Sequence, residues 1–205
     1  MNDQHDTQPE PVGERELFLD FANTVELSGG VAQDHVADGS SLRGWLRARG
    51  LVSARTPASA VAAELSGFQD LRALVREMAA RQAGGRSPTA RQVQRLNRVL
   101  REGVHHHELR YDARGGRFTV GQVGGELPQA RAAIAGALAH YLADHDVDRL
   151  RVCANDGCRW LFVDASPTGR RRWCDMRVCG NRAKVARHRA KVARHRARRG
   201  ATGTG

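Results

Sequence analysis

At 205 residues and 40% hydrophobic, the chain can bury the core of one large domain, or of a medium domain plus a small module. Its formal charge of +11 is uneven: from Arg149 to Arg199 about 16 Lys/Arg accompany about 3 acids, and the remainder is close to −2. No run of about 18 apolar residues is present to cross a membrane, and the polar first sixteen residues lack the basic and apolar regions of a secretory signal, so a cytoplasmic location is expected.

Residues 1–14 read as a disordered lead-in. In the stretch "ELFLDFANTVEL", Leu17, Phe18, Phe21 and Val25 stand at helical spacing, which predicts a short helix over 15–27. Asp20, Asn23 and Thr24 sit on this mostly apolar helix, where they line a small-molecule pocket or satisfy backbone groups and caps. "GGVAQDHVADGS" reads as a loop. Leu42, Trp45 and Leu46 then share a helical face that Gly50 ends. A long helix is predicted from Pro57, with Thr56 as N-cap. Its stripe is Val61, Leu65, Phe68, Leu71, Leu74, Val75 and Met78, and Gly84–Gly85 stops it. Ser87–Pro88 opens another helix with Val93, Leu96, Val99 and Leu100 inward, stopped by Gly103. Two β-prone runs flank Ala113–Gly116 and predict a hairpin. A helix over Pro128–Asp144, carrying Ile134, Leu138, Tyr141 and Leu142, completes an α-rich domain at 15–146.

The four cysteines, Cys153, Cys158, Cys174 and Cys179, are arranged as C-x4-C, fifteen residues, C-x4-C. Two close pairs at that separation have the arithmetic of a tetrahedral zinc site. Asn155, Asp156 and Gly157 suit a tight knuckle, "RWLFVD" is β-prone, and the second pair leads into a helical segment. Trp160, Phe162, Trp173 and Val178 are the expected small core, with metal binding supplying the stability that so little apolar surface lacks. The competing readings are two disulfides, a redox pair and an iron–sulfur cluster. A closed four-thiolate site offers no open coordination position, so no catalysis is expected. Among other candidates, His105–His107 alternate faces and read as surface residues, and the glycine-containing turns lack the context of a phosphate loop.

After Cys179 the unit AKVARHR occurs twice, at Ala183–Arg189 and Ala190–Arg196, uninterrupted by any acid. Seven residues are close to two helical turns, so both copies present nearly the same face. Val178, Val185 and Val192 form a stripe too thin for a coiled coil. The helix instead offers Lys184, Arg187, Arg189, Lys191, Arg194 and Arg196 to phosphates, with Arg170, Arg171, Arg172, Arg177, Asn181 and Arg182 near its start. Some of these arginines also offset the negative charge of a thiolate-bound metal. The alternative is a solvated basic tail.

"WCDMRVCGNR" (Trp173–Arg182), with the upstream Cys153/Cys158 pair, resembles the CGNR zinc-finger family. "LFLDFANT" (Leu17–Thr24) resembles the opening motif of the ABATE domain that precedes such fingers. The resemblance covers most of the chain and implies a stress-induced transcriptional regulator. Its fold would be mainly α with a small β-hairpin: an α-rich N-terminal domain, then a treble-clef-like zinc module at 147–199 ending in a basic helix, and a tail at 200–205. It implies Cys153, Cys158, Cys174 and Cys179 as Zn2+ ligands, Gly180, Asn181 and Arg182 as the rest of the signature, and duplex DNA as partner. The second AKVARHR copy is not required by the motif. An RNA- or ribosome-binding factor and a zinc-stabilised protein-interaction adaptor are the competing functional classes.

Overall fold

The computed structural model describes residues 16–28, 31–104, 106–143 and 145–201. The expected disordered lead-in lies outside them. Helix α1 is short, Leu17–Ala22, and buries Phe18, Leu19, Phe21 and Ala22. It does not reach residue 27 as its apolar spacing predicts. Asn23 and Thr24 terminate it, and β1 (Val25–Ser28) pairs antiparallel with β2 (Val31–Asp34), placing Val25 opposite Asp34. The segment expected as a loop is thus the second half of a hairpin. The signal was present: β-branched Thr24 and Val25 disfavour helix, and a Gly-Gly pair follows them.

Helix α2 (Gly39–Ala48) starts at a capping box, in which Asp38 accepts from the Ser41 amide at 2.8 Å. Gly50, at φ 66°, ends the turn that follows. The predicted long helix is two: α3 (Ala58–Ala63) and α4 (Leu65–Ala83), which meet at Glu64. Thr56 is not the cap. Pro57 occupies that position, and the Thr56 hydroxyl donates to Glu126 instead. Helix α5 (Ala90–Glu102) begins at a Thr89–Gln92 capping box and buries Leu96; Val93 is exposed rather than inward. Strands β3 (His106–Asp112) and β4 (Arg117–Val123) form the expected hairpin, which stands out from the body. Helix α6 (Glu126–Ala143) crosses the core.

Phe21 sits at the centre of that core, 5.1 Å from the Trp45 ring and 6.3 Å from Phe68, while Phe18 meets Tyr141 at 5.2 Å. Each such buried apolar side chain contributes roughly 1.5–3 kcal/mol. Small residues let the helices approach: a Cβ on Gly103, at the end of α5, would lie 2.1 Å from Ala132 of α6.

A turn at His145–Arg149 leads to β5 (Leu150–Val152), which pairs antiparallel with β6 (Leu161–Val163). One side of these strands joins the main core. Leu150 and Leu161 are fully built into the core formed by α1, α4 and α6, with Val152 and Val163 packed against it. A five-residue π-helical turn, Met176–Gly180, then opens into α7 (Asn181–Ala201). Rich in Ala, Arg and Lys, α7 has the composition of a helix that persists. It runs two residues past the expected end at 199, so part of the expected tail is helical. Among the described residues the fold is mainly α with three small two-stranded hairpins, the last element being the basic helix. Among the described residues no helix is long and apolar enough to cross a membrane.

Candidate metal centre

The first cysteine pair lies in the loop between β5 and β6, whose pairing brings both ends of that loop together. The Cys153 amide donates to the Trp160 carbonyl at 2.8 Å. Inside the loop Asn155 folds the chain back. Its carbonyl accepts from the Cys158 amide at 2.8 Å, and its side-chain oxygen accepts from Gly157 at 3.1 Å. Arg159 follows at φ 55°, in the left-handed region that favours glycine. The second pair lies across the start of the C-terminal helix. Asp175 caps the π turn, its carboxylate accepting from the amides of Arg177 and Val178, and its carbonyl accepts from Cys179 and Gly180. The Ala154 amide donates to Arg172 at 2.8 Å and joins the two halves.

All four Sγ atoms fall within 4.8 Å of one another. Cys158 and Cys174 are 3.7 Å apart, and Cys174 and Cys179 are 3.8 Å apart. Four sulfurs bound to one tetrahedral ion at about 2.3 Å lie about 3.8 Å from each other. The sulfur spacing therefore matches what a single ion would require. A cluster interposing several irons and sulfides would spread the thiolates further, and no cysteine is in a disulfide. The Asn155 side-chain amide donates to Cys179 Sγ at 3.5 Å.

Packed so closely, the thiols need a cation to ionise together. Burial pushes the Cys158 thiol up to about 11. Burial and the adjoining Cys158 thiol push Cys174 higher than its ordinary value. At Cys153 burial also opposes ionisation, but hydrogen bonds from the Cys174 and Asn155 backbone outweigh it and hold the thiol below its usual range. A bound divalent ion reverses this balance by supplying the missing positive charge.

Trp160, Phe162 and Trp173 pack around the cysteines as the spacing implies, but Val178 is exposed and belongs to the outer face. Arg171 is tied to the centre. Its guanidinium lies 5.1 Å from the Phe162 ring and donates to the Cys174 carbonyl at 2.5 Å. Arg172 stacks 5.3 Å from the Trp173 ring. Asp164, which the sequence reading overlooked, organises this region. Buried, it accepts from the Ser166 amide at 3.0 Å and from the Arg171 amide at 2.7 Å. Burial alone would raise its carboxyl, yet the Ser166 and Arg171 bonds hold it at about 2.

Beyond the cysteines, Arg170, Arg177, Arg182, Lys184, Arg187, Arg189, Lys191 and Arg194 are exposed. The side chain of Arg196 lies outside the described residues. Asn181 donates to the Arg177 carbonyl at 2.9 Å. A groove of about 560 Å3 is lined by Arg177, Asn181, Arg182 and Arg189 around Val178 and Val185.

The N-terminal polar residues have protein partners. Asp20 is ion-paired with Arg49. Thr24 Oγ1 donates to the Phe21 carbonyl and accepts from Arg72 at 2.9 Å. Arg72 also grips Asp34 through both terminal nitrogens, and Arg76 donates to the carbonyls of Ala22 and Val25. These two arginines, spaced by four beside Leu71, Leu74 and Val75, were legible as charges on a core helix but were not singled out. Asn23 reaches the metal module: its amide nitrogen donates to the Leu161 carbonyl at 2.8 Å, and its oxygen accepts from the Leu161 amide at 3.0 Å.

Two family models match the chain. The ABATE model, described as "Putative stress-induced transcription regulator", matches residues 15–145. The CGNR zinc finger model matches residues 149–191. No curated protein shows significant similarity.

Proposed function

From the premise that this chain belongs to the ABATE family and carries a CGNR zinc finger, we propose that it is a DNA-binding transcriptional regulator. Its four cysteines hold one structural Zn2+. The thiolate set and the sulfur spacing suit that ion, which bonds sulfur at about 2.3 Å and needs no redox partner. When bound, it supplies the charge that lets four clustered thiols, two of them buried, ionise together, and it fixes the start of α7 to the β5–β6 loop. No position remains open for water or substrate, so the site is structural and the protein is not an enzyme.

The observation that carries the DNA-binding reading is the exposed basic helix issuing directly from the metal centre. No acid occurs after Asp175. Lys184, Arg187, Lys191 and Arg194 recur at three- and four-residue spacing and share one stripe; Arg182 and Arg189 form another across the Val185 face. Such stripes track phosphates and bind duplexes in a salt-dependent way. Arg170, Arg172 and Arg177 extend the charge around the finger. The groove between Arg177, Asn181 and Arg182 combines guanidinium and amide donors with valine methyls, the chemistry that reads guanine, adenine and thymine edges in a major groove. Arg171, bound to the Cys174 carbonyl, serves the finger itself. The N-terminal domain acts as the regulatory partner, reporting a stress signal to the finger through the Asn23–Leu161 junction.

Zinc-loaded protein, titrated into labelled duplex DNA and into RNA of matching sequence, tests this reading. Tighter binding to duplex DNA, and recovery of a common sequence from a random duplex pool, are expected. Preferential RNA binding would replace it with an RNA- or ribosome-binding role. Failure to bind either would leave a zinc-stabilised adaptor.

A further inference from the structure

The β3–β4 hairpin has seven residues in each strand, more than any other strand described, yet every residue of β3 is exposed. Its register pairs Leu109 with Val120 and Tyr111 with Phe118. Side chains two apart on a strand share a face, so these four form one apolar face. All are open to solvent: Leu109 is 65% exposed, Tyr111 58%, Phe118 65% and Val120 67%. The two rings touch each other, with centroids 4.8 Å apart, and Val104 at the hairpin's foot is also exposed. An isolated two-stranded hairpin is marginal in water and gains stability when its apolar face is covered.

We propose that this face is a homodimer interface, covered by the same face of a second copy. The patch is its own complement. Tyr111 and Phe118 lie next to the turn, and Leu109 and Val120 lie nearer the body. Two hairpins stacked antiparallel about a two-fold axis therefore set each aromatic pair against the partner's aliphatic pair, as an isologous interface requires. The area suffices for a core. At these exposures the four side chains present roughly 450 Å2, taking fully exposed areas of about 150–250 Å2 each. Two copies would bury roughly 900 Å2 through these residues alone, and flanking strand and foot residues bring the total to the roughly 1,200 Å2 at which specific interfaces begin. None of the four carries a charge, so the face has no group with which to hold a phosphate backbone. Dimerisation would place two α7 helices on one complex without using any residue of the finger.

The test is sedimentation equilibrium of the full-length, zinc-loaded protein up to about 100 μM, beside two variants. Phe118→Glu puts a charge at the centre of the patch. Thr119→Lys changes the neighbouring side chain, which points to the opposite face of β4. Wild type and Thr119→Lys should sediment as dimers, and Phe118→Glu should dissociate with a constant raised roughly 100-fold, as for a central interface aromatic. Unchanged metal content and helical circular dichroism show that Phe118→Glu still folds. A monomeric wild type at the highest concentration would overturn the proposal, as would a Phe118→Glu variant that stays dimeric. A monomer that binds lipid vesicles through the hairpin would assign the face to a membrane surface instead. DNA affinity is read separately and does not enter this outcome.

Discussion

Asn23 makes both of its side-chain hydrogen bonds to the backbone of Leu161, a residue 138 positions later. The amide pairs with the N–H and the C=O as a neighbouring strand would, and all of it is buried. The last turn of α1 thereby becomes the edge partner of the finger's second strand. Thr24, Arg72 and Arg76 hold the same corner from the N-terminal side. The two parts of the chain thus share a hydrogen-bonded seam as well as a core.

Replacing Asn23 by Ala strands the Leu161 amide and carbonyl in an apolar setting. Each unsatisfied group costs about 1–3 kcal/mol, so a loss of about 2–6 kcal/mol is expected for the two. Urea unfolding followed by far-ultraviolet circular dichroism measures it. The variant should also release its metal to a chelator faster than wild type. Equal release rates would mean that the seam does not communicate with the centre.

Purified protein should carry about one zinc per chain, as a single four-thiolate site requires. Cys174→Ser removes a ligand next to both Cys158 and Cys179 and should abolish tight binding. Because Leu150 and Leu161 belong to the main core, metal loss should also lower the melting temperature of the N-terminal helices. Retention of full zinc by Cys174→Ser, or a visible iron–sulfur spectrum in anaerobic wild type, would refute the zinc assignment.

Asp164 gives the fold a pH signature. Its carboxyl lies at about 2 in the folded protein against an ordinary value of 3.8. The ionised form is therefore the one that folding favours. Its contribution is complete above the ordinary value and is lost as pH falls through about 2. Asp164→Asn cannot accept from both the Ser166 and Arg171 amides, so the variant should be less stable than wild type at neutral pH. That difference should shrink as the pH is lowered from 4 toward 2, which thermal melts across acidic buffers will measure. A gap independent of pH would assign the effect to packing.

Deleting Ala190–Arg196 removes Lys191, Arg194 and Arg196 without touching the metal ligands. If the second copy lies along phosphates, up to about three contacts go, and the slope of log K against log salt flattens by up to about 2.7. Sequence preference should hardly change, because phosphate contacts position a protein whereas base contacts specify. Arg182→Ala and Arg177→Ala should shift preference more than the deletion does. An unchanged salt slope would identify the second copy as a solvated extension.

Much of the site was legible because it is local. Two C-x4-C pairs, the turn-forming Asn155–Gly157 and the seven-residue basic repeat each encode their structure within a few residues. The spacing therefore implied the clustered thiols, and the composition implied the helix that follows them. The helices around Phe68, Leu96 and Ile134 were legible for the same reason, since an apolar stripe at helical period needs only one partner surface. What sequence periodicity misplaced was settled by contacts between distant segments. Val25 left the helix for a strand that pairs with Asp34, and Thr56 gave up capping to bond Glu126. Val178 turned outward, and Leu150 and Leu161, for which local spacing named no packing partner, joined the N-terminal core. Asn23 stood out as a polar residue that could satisfy backbone groups, but nothing local named Leu161 as its partner: the two hydrogen bonds exist only once α1 and β6 are brought together. Local spacing could specify a metal centre and a basic helix, but only tertiary packing, in which buried polar groups must find partners and apolar groups must share one core, joined that centre to the domain before it.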